Sequence, residues 1–162
     1  MFDEKAMFRL SYGLYILTAS EGDKDNGCII NTVTQVTAQP NQIVVAINKQ
    51  NYTHGMILRT GQFNVSVLTT ESRFETYKHW GFQSGANTDK LERIEYRRTE
   101  NGIVYIANEC NAYLSARVVS VTDLGTHSLF LAEVTGAAVL SDNDSVTYDY
   151  YQKNIKETAK ME

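Results

Sequence analysis

The sequence predicts a mainly β protein with a few helices, built as a mostly antiparallel barrel. Many segments alternate β-branched and polar residues or form short apolar runs, and the predicted helices fall irregularly between these segments rather than after every strand. A doubly wound nucleotide-binding fold is disfavoured, because no GxGxxG motif follows the first predicted strand. The chain has 162 residues, the length of one domain, so we predict a single domain over residues 1–162.

Periodicity assigns the elements in chain order. Helical spacing, strict alternation and apolar runs predict a helix at 2–10, strands at 13–20, 28–39 and 41–48, a helix at 52–61, a strand at 63–69, a helical segment at 70–82, two or three strands at 103–125 and a strand at 127–140. Residues 21–27 are rich in Gly, Asp and Asn and predict a turn. Thr53 and Thr70 are expected N-caps, and Gly61 is an expected helix stop. The polar end of the chain is expected to be a helix or a frayed terminus.

Composition argues against several functional classes. The formal net charge is −4 and the pI about 5.4, so a general nucleic-acid-binding surface is not expected. The longest apolar runs, such as IVVAI, are too short to cross a bilayer, and the first residues lack the features of a secretory signal. We therefore expect a cytoplasmic protein with no membrane partner. Cys28 and Cys110 are not part of a CxxC motif, so no metal site is predicted.

Two polar clusters stand at the ends of predicted strands. The first is Asn31–Thr34, within a β run where Asn is unusual; it indicates either an edge strand with a bulge or a strand that meets a planar ligand. The second is NKQNYTH, residues 48–54, directly after the apolar run QIVVAI. Its amides, hydroxyl and lysine are compatible with ordinary helix capping or with an anion held at a helix N-terminus.

A third cluster, residues 80–85, reads WGFQSG. Two aromatic residues bracket a glycine, so this loop could bring its backbone close to a ring and offer an aromatic wall. The alternative interpretation is a surface loop held by one buried aromatic residue. Three such clusters in a small barrel suggest a pocket for a flat, phosphorylated ligand.

The clusters belong to a longer series of motifs. SYGLYILTA, DNGCIINTVTQVT, VVAINKQNYTHGMI, FNVSVL, GFQSG followed by DK, and HSLFLAEV occur in the order found in the flavin reductase-like family of FMN-binding split barrels, which the chain resembles over roughly residues 6–155. The tail VTYDYYQKNIK is similar to the anaerobe group that includes NADH:rubredoxin oxidoreductases. No CxxC-bearing rubredoxin segment follows, so a stand-alone flavin domain is expected. The resemblance implies an antiparallel, Greek-key split β-barrel that forms homodimers.

The resemblance also implies the cofactor site, with FMN favoured over FAD because the phosphate loop is short. The phosphate and ribityl end would lie at the NKQNYTH loop, the isoalloxazine beside β residues 27–34, and an aromatic wall at the third cluster. The implied cofactor-binding residues are Gly27, Cys28, Ile30, Asn31, Thr32, Val33, Asn48, Lys49, Asn51, Tyr52, Thr53, Trp80, Gly81 and Phe82. Asn48, Asn51 and Thr53 would donate or accept hydrogen bonds, and Lys49 would be the counter-charge.

The implied reaction is hydride transfer from NADH or NADPH to flavin N5, followed by electron delivery to rubredoxin, free flavin or oxygen. His127 would lie near the open flavin face as the catalytic candidate, and backbone N–H groups around residues 31–33 would stabilise the reduced ring. The chain departs from the family pattern at Ala86, where an arginine is usual, and at Thr126 and Ala132. An FMN-binding electron carrier without a pyridine-nucleotide site, and a barrel for haem or another ligand, therefore remain alternatives.

Overall fold

The computed structural model describes residues 1–161 and is dominated by one antiparallel sheet. Seven strands follow the order β2-β1-β5-β8-β9-β4-β3, and a short hairpin of β6 and β7 stands apart. The strands are β1 (Tyr15–Glu21), β2 (Lys24–Ile30), β3 (Val33–Ala38), β4 (Asn41–Asn48), β5 (Gln62–Leu68), β6 (Arg97–Arg98), β7 (Val104–Tyr105), β8 (Cys110–Asp123) and β9 (His127–Val139). The mainly β, antiparallel prediction is confirmed.

Short helices connect or flank the strands. They are a 3₁₀ helix (Glu4–Arg9), α1 (Tyr52–Thr60), α2 (Phe74–Gly81) and a C-terminal stretch in which α3 (Tyr148–Tyr150), a π-helical segment (Tyr151–Lys156) and α4 (Glu157–Met161) follow without a break. The helix predicted at the C-terminus is thus confirmed through residue 161, and the last predicted residue lies outside the described part of the chain. Among residues 1–161, no helix has both the length and the apolar character to cross a bilayer.

The core consists of two apolar clusters on either side of the sheet. One fills the barrel interior, where alternate residues of β1, β4, β5 and β9 meet α1; Val45, Ile47, Phe63 and Phe130 are fully buried there. The other lies under α2 and the C-terminal helices and includes Trp80. Because side chains alternate along a strand, each strand can supply both clusters at once. The sheet is therefore covered on both faces around its first strands.

The predicted strand at 28–39 was wrong, because two strands occupy this stretch. β2 ends at Ile30, the chain bends at residues 31–32, and β3 begins at Val33. Asn31 thus lies in the break, which agrees with the low preference of Asn for strands. The predicted turn at 21–27 shrinks to Gly22 and Asp23, since Glu21 pairs with Lys24 in a tight hairpin with Gly22 at positive φ.

The helix ends also differ from expectation. Asn51, not Thr53, caps α1, because its side-chain oxygen accepts the Thr53 backbone N–H. Gly61 ends α1 in the left-handed conformation as predicted. The segment at 70–82 becomes helical only at Phe74, so Thr70 is not its cap. The segment at 2–10 is a 3₁₀ helix without a buried residue, so its apolar side faces no core of this chain.

Candidate functional site

A groove opens where β2, β4 and the end of α2 meet. Its main cavity has a volume of about 370 Å³, within the usual range for small-molecule sites. It is lined by residues 28–29, 48, 50–52 and 80–85, together with Lys90. An adjoining cavity of about 240 Å³ shares Ile29, Asn48 and Asn51 with it and extends past Asn31 to His127. The two cavities form one elongated groove on this side of the barrel.

The turn between β4 and α1 forms one end of the groove. The side-chain oxygen of Asn48 accepts the Gln50 backbone N–H at 2.9 Å, and that of Asn51 accepts the Thr53 backbone N–H at 3.0 Å. These bonds correspond to the ordinary capping that was one of the two interpretations of residues 48–54. Both asparagines nevertheless line the groove, and Tyr52, the first residue of α1, lines it beside them. The partially positive N-terminal end of α1 therefore faces the cavity.

A buried hydrogen-bond chain supports this turn from behind. Thr53 is fully buried, and its hydroxyl accepts a hydrogen bond from Asn26 Nδ2 at 3.0 Å. The other amide atom of Asn26, Oδ1, is buried without a partner. A Cβ placed on Gly85 would overlap the Asn26 amide, so the loop after α2 lies directly on it. The loop and the helix start are thus joined through one buried strand residue.

Trp80 and Lys90 form the opposite wall. The Lys90 ammonium donates to the carbonyl oxygens of Gly27 and Trp80, each at 2.8 Å. A Cβ on Gly27 would lie 2.9 Å from Trp80 Cζ3, which is closer than real Cβ contacts allow. Lys24 ties the far end of the loop in a similar way, by donating to the Gly85 carbonyl oxygen at 2.8 Å. Two lysines therefore hold the two ends of the loop that borders the groove.

Burial shifts several ionisation equilibria near the groove. Desolvation raises the pKa of the Cys28 thiol, while Thr53, Lys90 and Asn51 oppose this shift. Desolvation lowers the pKa of Lys90. Desolvation and then the charge of Lys49 lower the pKa of His54, whose Nε2 lies 2.8 Å from Ser128 Oγ. Cys28 is consequently a neutral thiol at neutral pH.

His127 comes to the groove through strand pairing. It opens β9 directly opposite Asn48, the last residue of β4. Its ring is half-buried, and its Nδ1 lies 2.8 Å from the Thr126 hydroxyl. The adjoining cavity is lined by His127, Asn31 and Tyr148 among others, so an imidazole ring borders the groove.

The structure brings ten of the sequence-predicted residues to the walls of the groove. The main cavity is lined by Cys28, Asn48, Asn51, Tyr52, Trp80, Gly81 and Phe82, and the adjoining one by Ile30, Asn31 and His127 as well. Five predicted residues lie elsewhere: Gly27, Thr32, Val33, Lys49 and Thr53 do not line either cavity.

The five have identifiable contacts of their own. Lys49, predicted as a counter-charge, forms an ion pair with Asp123 at 2.6 Å. Val33 packs against the barrel core, and the Thr32 hydroxyl donates to Asn31 Oδ1. Gly27 and Thr53 lie just behind the walls and hold them in place.

Sequence reasoning did not name Ile29, Gln50 or residues 83–85 as cofactor-binding residues, although they lie within the three segments assigned to the pocket, and it missed Lys90 altogether. Lys90 follows the third cluster by five positions in an irregular segment without periodicity, so only the DK motif could have drawn attention to it. Ile29 looks like an ordinary strand residue. Within residues 1–161, no cluster of three or more His, Cys, Asp or Glu could hold a metal ion.

The groove suits a flat ligand with a polar tail. One end offers an apolar surface from Phe82 and Ile29 over the buried Trp80, and the other end offers the amides of Asn48 and Asn51 beside a helix start. Lys90 adds a basic side chain to the wall that contains Trp80. This distribution matches a ring system that bears an anionic chain.

Comparison with known proteins identifies a family and several relatives. A family model described as "Flavin reductase like domain" matches residues 7–159. The high molecular weight rubredoxin of Moorella thermoacetica is 45% identical over 93% of this chain, and the match spans 66% of that relative's length. The ferric-chelate reductase (NAD(P)H) of Archaeoglobus fulgidus is 39% identical over 92% of this chain and 89% of its own.

Solved structures share the fold. The flavoredoxin of Methanosarcina acetivorans superposes with a TM-score of 0.76 at 26% identity, covering 85% of this chain and 74% of its own. The NADH:FAD oxidoreductase SgcE6 of Streptomyces globisporus gives a TM-score of 0.79 at 21% identity and covers 91% of both chains. At that lower identity the likeness shows the fold alone.

Proposed function

The chain belongs to the flavin reductase-like family of flavoprotein oxidoreductases, and from this we propose that it binds FMN and passes electrons from NADH or NADPH to an acceptor. The observation that carries the proposal is the elongated groove with an aromatic wall at one end and a helix start at the other. Two relatives named for electron transfer, a rubredoxin and a ferric-chelate reductase, support it.

The residues of the groove fit FMN. Asn48, Asn51 and the start of α1 would hold the phosphate and ribityl chain, because amides and a helix N-terminus suit an anion. Cys28, Ile30 and Asn31 would border the ring on the β2 side, and Trp80 with Phe82 would border it on the α2 side. The buried, unpartnered Asn26 Oδ1 lies beneath the loop at Gly85, behind the wall of the groove.

When bound, the flavin supplies the hydride-accepting and electron-transferring chemistry. The protein residues position the two reactants and exclude water. His127 borders the open part of the groove, where a nicotinamide could approach, and its ring can donate a hydrogen bond or hold a proton. Positioning of this kind contributes on the order of 7–11 kcal/mol to lowering a barrier.

The relatives' names supply two of the proposed acceptors. A rubredoxin-type protein is one proposed acceptor and a ferric chelate is a second. Free flavin and oxygen are also proposed acceptors, because small molecules can reach a reduced cofactor in an open groove. Side-by-side turnover assays with these four acceptors and NADH, compared at equal concentration, rank them directly.

A second candidate function is an FMN-binding electron carrier with no pyridine-nucleotide site. Ala86 stands where the family usually has an arginine, which removes one charge that could receive a pyridine nucleotide. A solved relative at 26% identity is named flavoredoxin. In this role the same groove would hold FMN, and the electrons would come from a protein donor.

Anaerobic mixing of the FMN-loaded protein with NADH or NADPH separates the two functions. We expect the yellow absorbance to bleach rapidly, and we expect His127→Ala to slow bleaching about tenfold while FMN affinity changes little, because only the approach of the nicotinamide is disturbed. A parent protein that stays yellow supports the carrier function. If His127→Ala lowers the bleaching rate and the FMN affinity equally, the proposed position of His127 beside the nicotinamide is wrong.

A further inference from the structure

Lys90 is a buried lysine in the wall of the groove. Only 2% of the residue is exposed, and its ammonium donates to two backbone carbonyl oxygens, those of Gly27 on β2 and Trp80 at the end of α2. A lysine ammonium carries three N–H donors and has no acceptor. Two donors are thus used to tie β2 to α2, and the side chain still lines the cavity.

Lys90 forms no ion pair with a carboxylate in the described part of the chain. The ion pairs formed within residues 1–161 involve Lys49, Arg59, Arg73, Arg98, Arg117 and Lys153, but not Lys90. The nearby thiol of Cys28 is kept neutral by burial. An uncompensated buried charge is costly, and proteins usually pair such a group or replace it. The cost at Lys90 calls for a partner that arrives in the groove.

We propose that Lys90 favours the electron-rich form of the flavin and so sets the flavin's reduction potential, while its two hydrogen bonds hold the walls of the groove together. This inference rests on the proposed flavin function. Two-electron reduction places negative charge on the ring unless a proton fully compensates it. A fixed cation in a water-poor wall interacts with that charge far more strongly than an exposed lysine does.

Three variants separate the charge from the hydrogen bonds. Lys90→Gln keeps an N–H donor and removes the charge, whereas Lys90→Met removes both. Lys24→Gln is the matched control, because Lys24 also donates to a loop carbonyl, that of Gly85, but is only partly buried and lies over the Tyr52 ring. If Lys90 only held the loop in place, Lys24→Gln and Lys90→Gln would change FMN binding in the same way.

The measurement is the dissociation constant of oxidised and of reduced FMN for each protein, together with an equilibrium redox titration. For Lys90→Gln we expect reduced FMN to lose about tenfold more affinity than oxidised FMN, which equals a drop of about 30 mV for a two-electron couple. For Lys24→Gln the ratio of the two affinities should change less than about threefold, because exposed charges are screened. An unchanged ratio in Lys90→Gln overturns the proposal.

Two further readouts complete the test. Thermal unfolding of the FMN-free proteins should rank Lys90→Met below Lys90→Gln, because the methionine leaves the Gly27 and Trp80 carbonyls without a donor. If Lys90→Gln does not fold, the parent alone decides: it should bind reduced FMN at least as tightly as oxidised FMN, and the opposite order overturns the inference. A parent that binds neither form contradicts the FMN proposal itself, which is a distinguishable result.

Discussion

Thr53 shows how a polar residue predicted to touch a ligand can serve the framework instead. Its backbone N–H donates to Asn51 Oδ1, and its hydroxyl accepts a hydrogen bond from Asn26 Nδ2. Both contacts lie behind the groove, and Thr53 is fully buried. Any effect of Thr53 on flavin binding would therefore act through the position of α1 against β2.

We predict that Thr53→Val destabilises the FMN-free protein by about 1–3 kcal/mol, because the buried Asn26 amide loses its acceptor. Urea denaturation at neutral pH measures this change. Thr53→Ser retains the hydroxyl and is the matched control, so its loss should be clearly smaller. If Thr53→Val unfolds at the same urea concentration as the parent, the hydrogen bond between Thr53 and Asn26 does not contribute to stability.

Lys49 and Lys90 occupy positions in the structure that differ from those their sequence surroundings indicate. Lys49 stands in the conspicuous polar cluster, yet it is partly exposed and paired with Asp123. Lys90 stands in a segment without periodicity, yet it is buried and lines the cavity. Neither result is readable from local pattern, because pairing and burial depend on segments 74 and 63 residues away along the chain.

At the scale of elements, the close approach of β2 and α2 shapes the groove. Because Gly27 has no side chain, Trp80 can lie against β2. Lys90 stabilises this contact by donating hydrogen bonds to the carbonyl oxygens of both residues. The contact positions Gly81 as well, since a Cβ there would come within 3.3 Å of Ile29 Cγ1. The aromatic wall is thus located by small residues on both partners.

We predict that Gly27→Ala costs about 1–3 kcal/mol of stability and weakens FMN binding, because the added methyl group forces Trp80 outward. Calorimetry and FMN titration measure the two effects. Gly136→Ala on β9 is a matched control: its Cβ would meet Ser115 Cβ at an ordinary 3.8 Å, so neither quantity should fall appreciably. Equal behaviour of the two variants contradicts the assigned contact.

At the scale of the whole molecule, one end of the sheet leaves apolar side chains uncovered. β8 pairs with β5 only up to Arg117, and beyond it pairs with β9 alone. Val119, Val121 and Leu124, in or just after this free part, are 50%, 45% and 53% exposed. Contiguous exposed apolar surface of this kind commonly marks a protein–protein contact. We propose that a second copy of the chain covers it, in line with the homodimer that the family resemblance implies.

We predict that the parent sediments as a dimer and that Val121→Glu sediments as a monomer at the same concentration, because a carboxylate would be buried without a partner. Analytical ultracentrifugation gives the answer. The neighbouring Thr122→Glu alters the opposite face of the same strand and should leave the dimer intact. A monomeric parent would contradict the proposed dimer, and a Val121→Glu protein that stays dimeric would place the interface elsewhere.

The sequence by itself determined the antiparallel β class, most strand positions and the Gly61 helix stop, because alternation and glycine chemistry are local signals. The family resemblance, rather than local pattern, pointed to ten of the residues that line the groove. Only the tertiary structure decided the break at Asn31, the hydrogen bond between Thr53 and Asn26, and the place of Lys90 in the wall. These depend on which distant residues meet when the barrel forms. Hydrogen-bond partners far apart in the chain leave no periodic trace in the residues that they join.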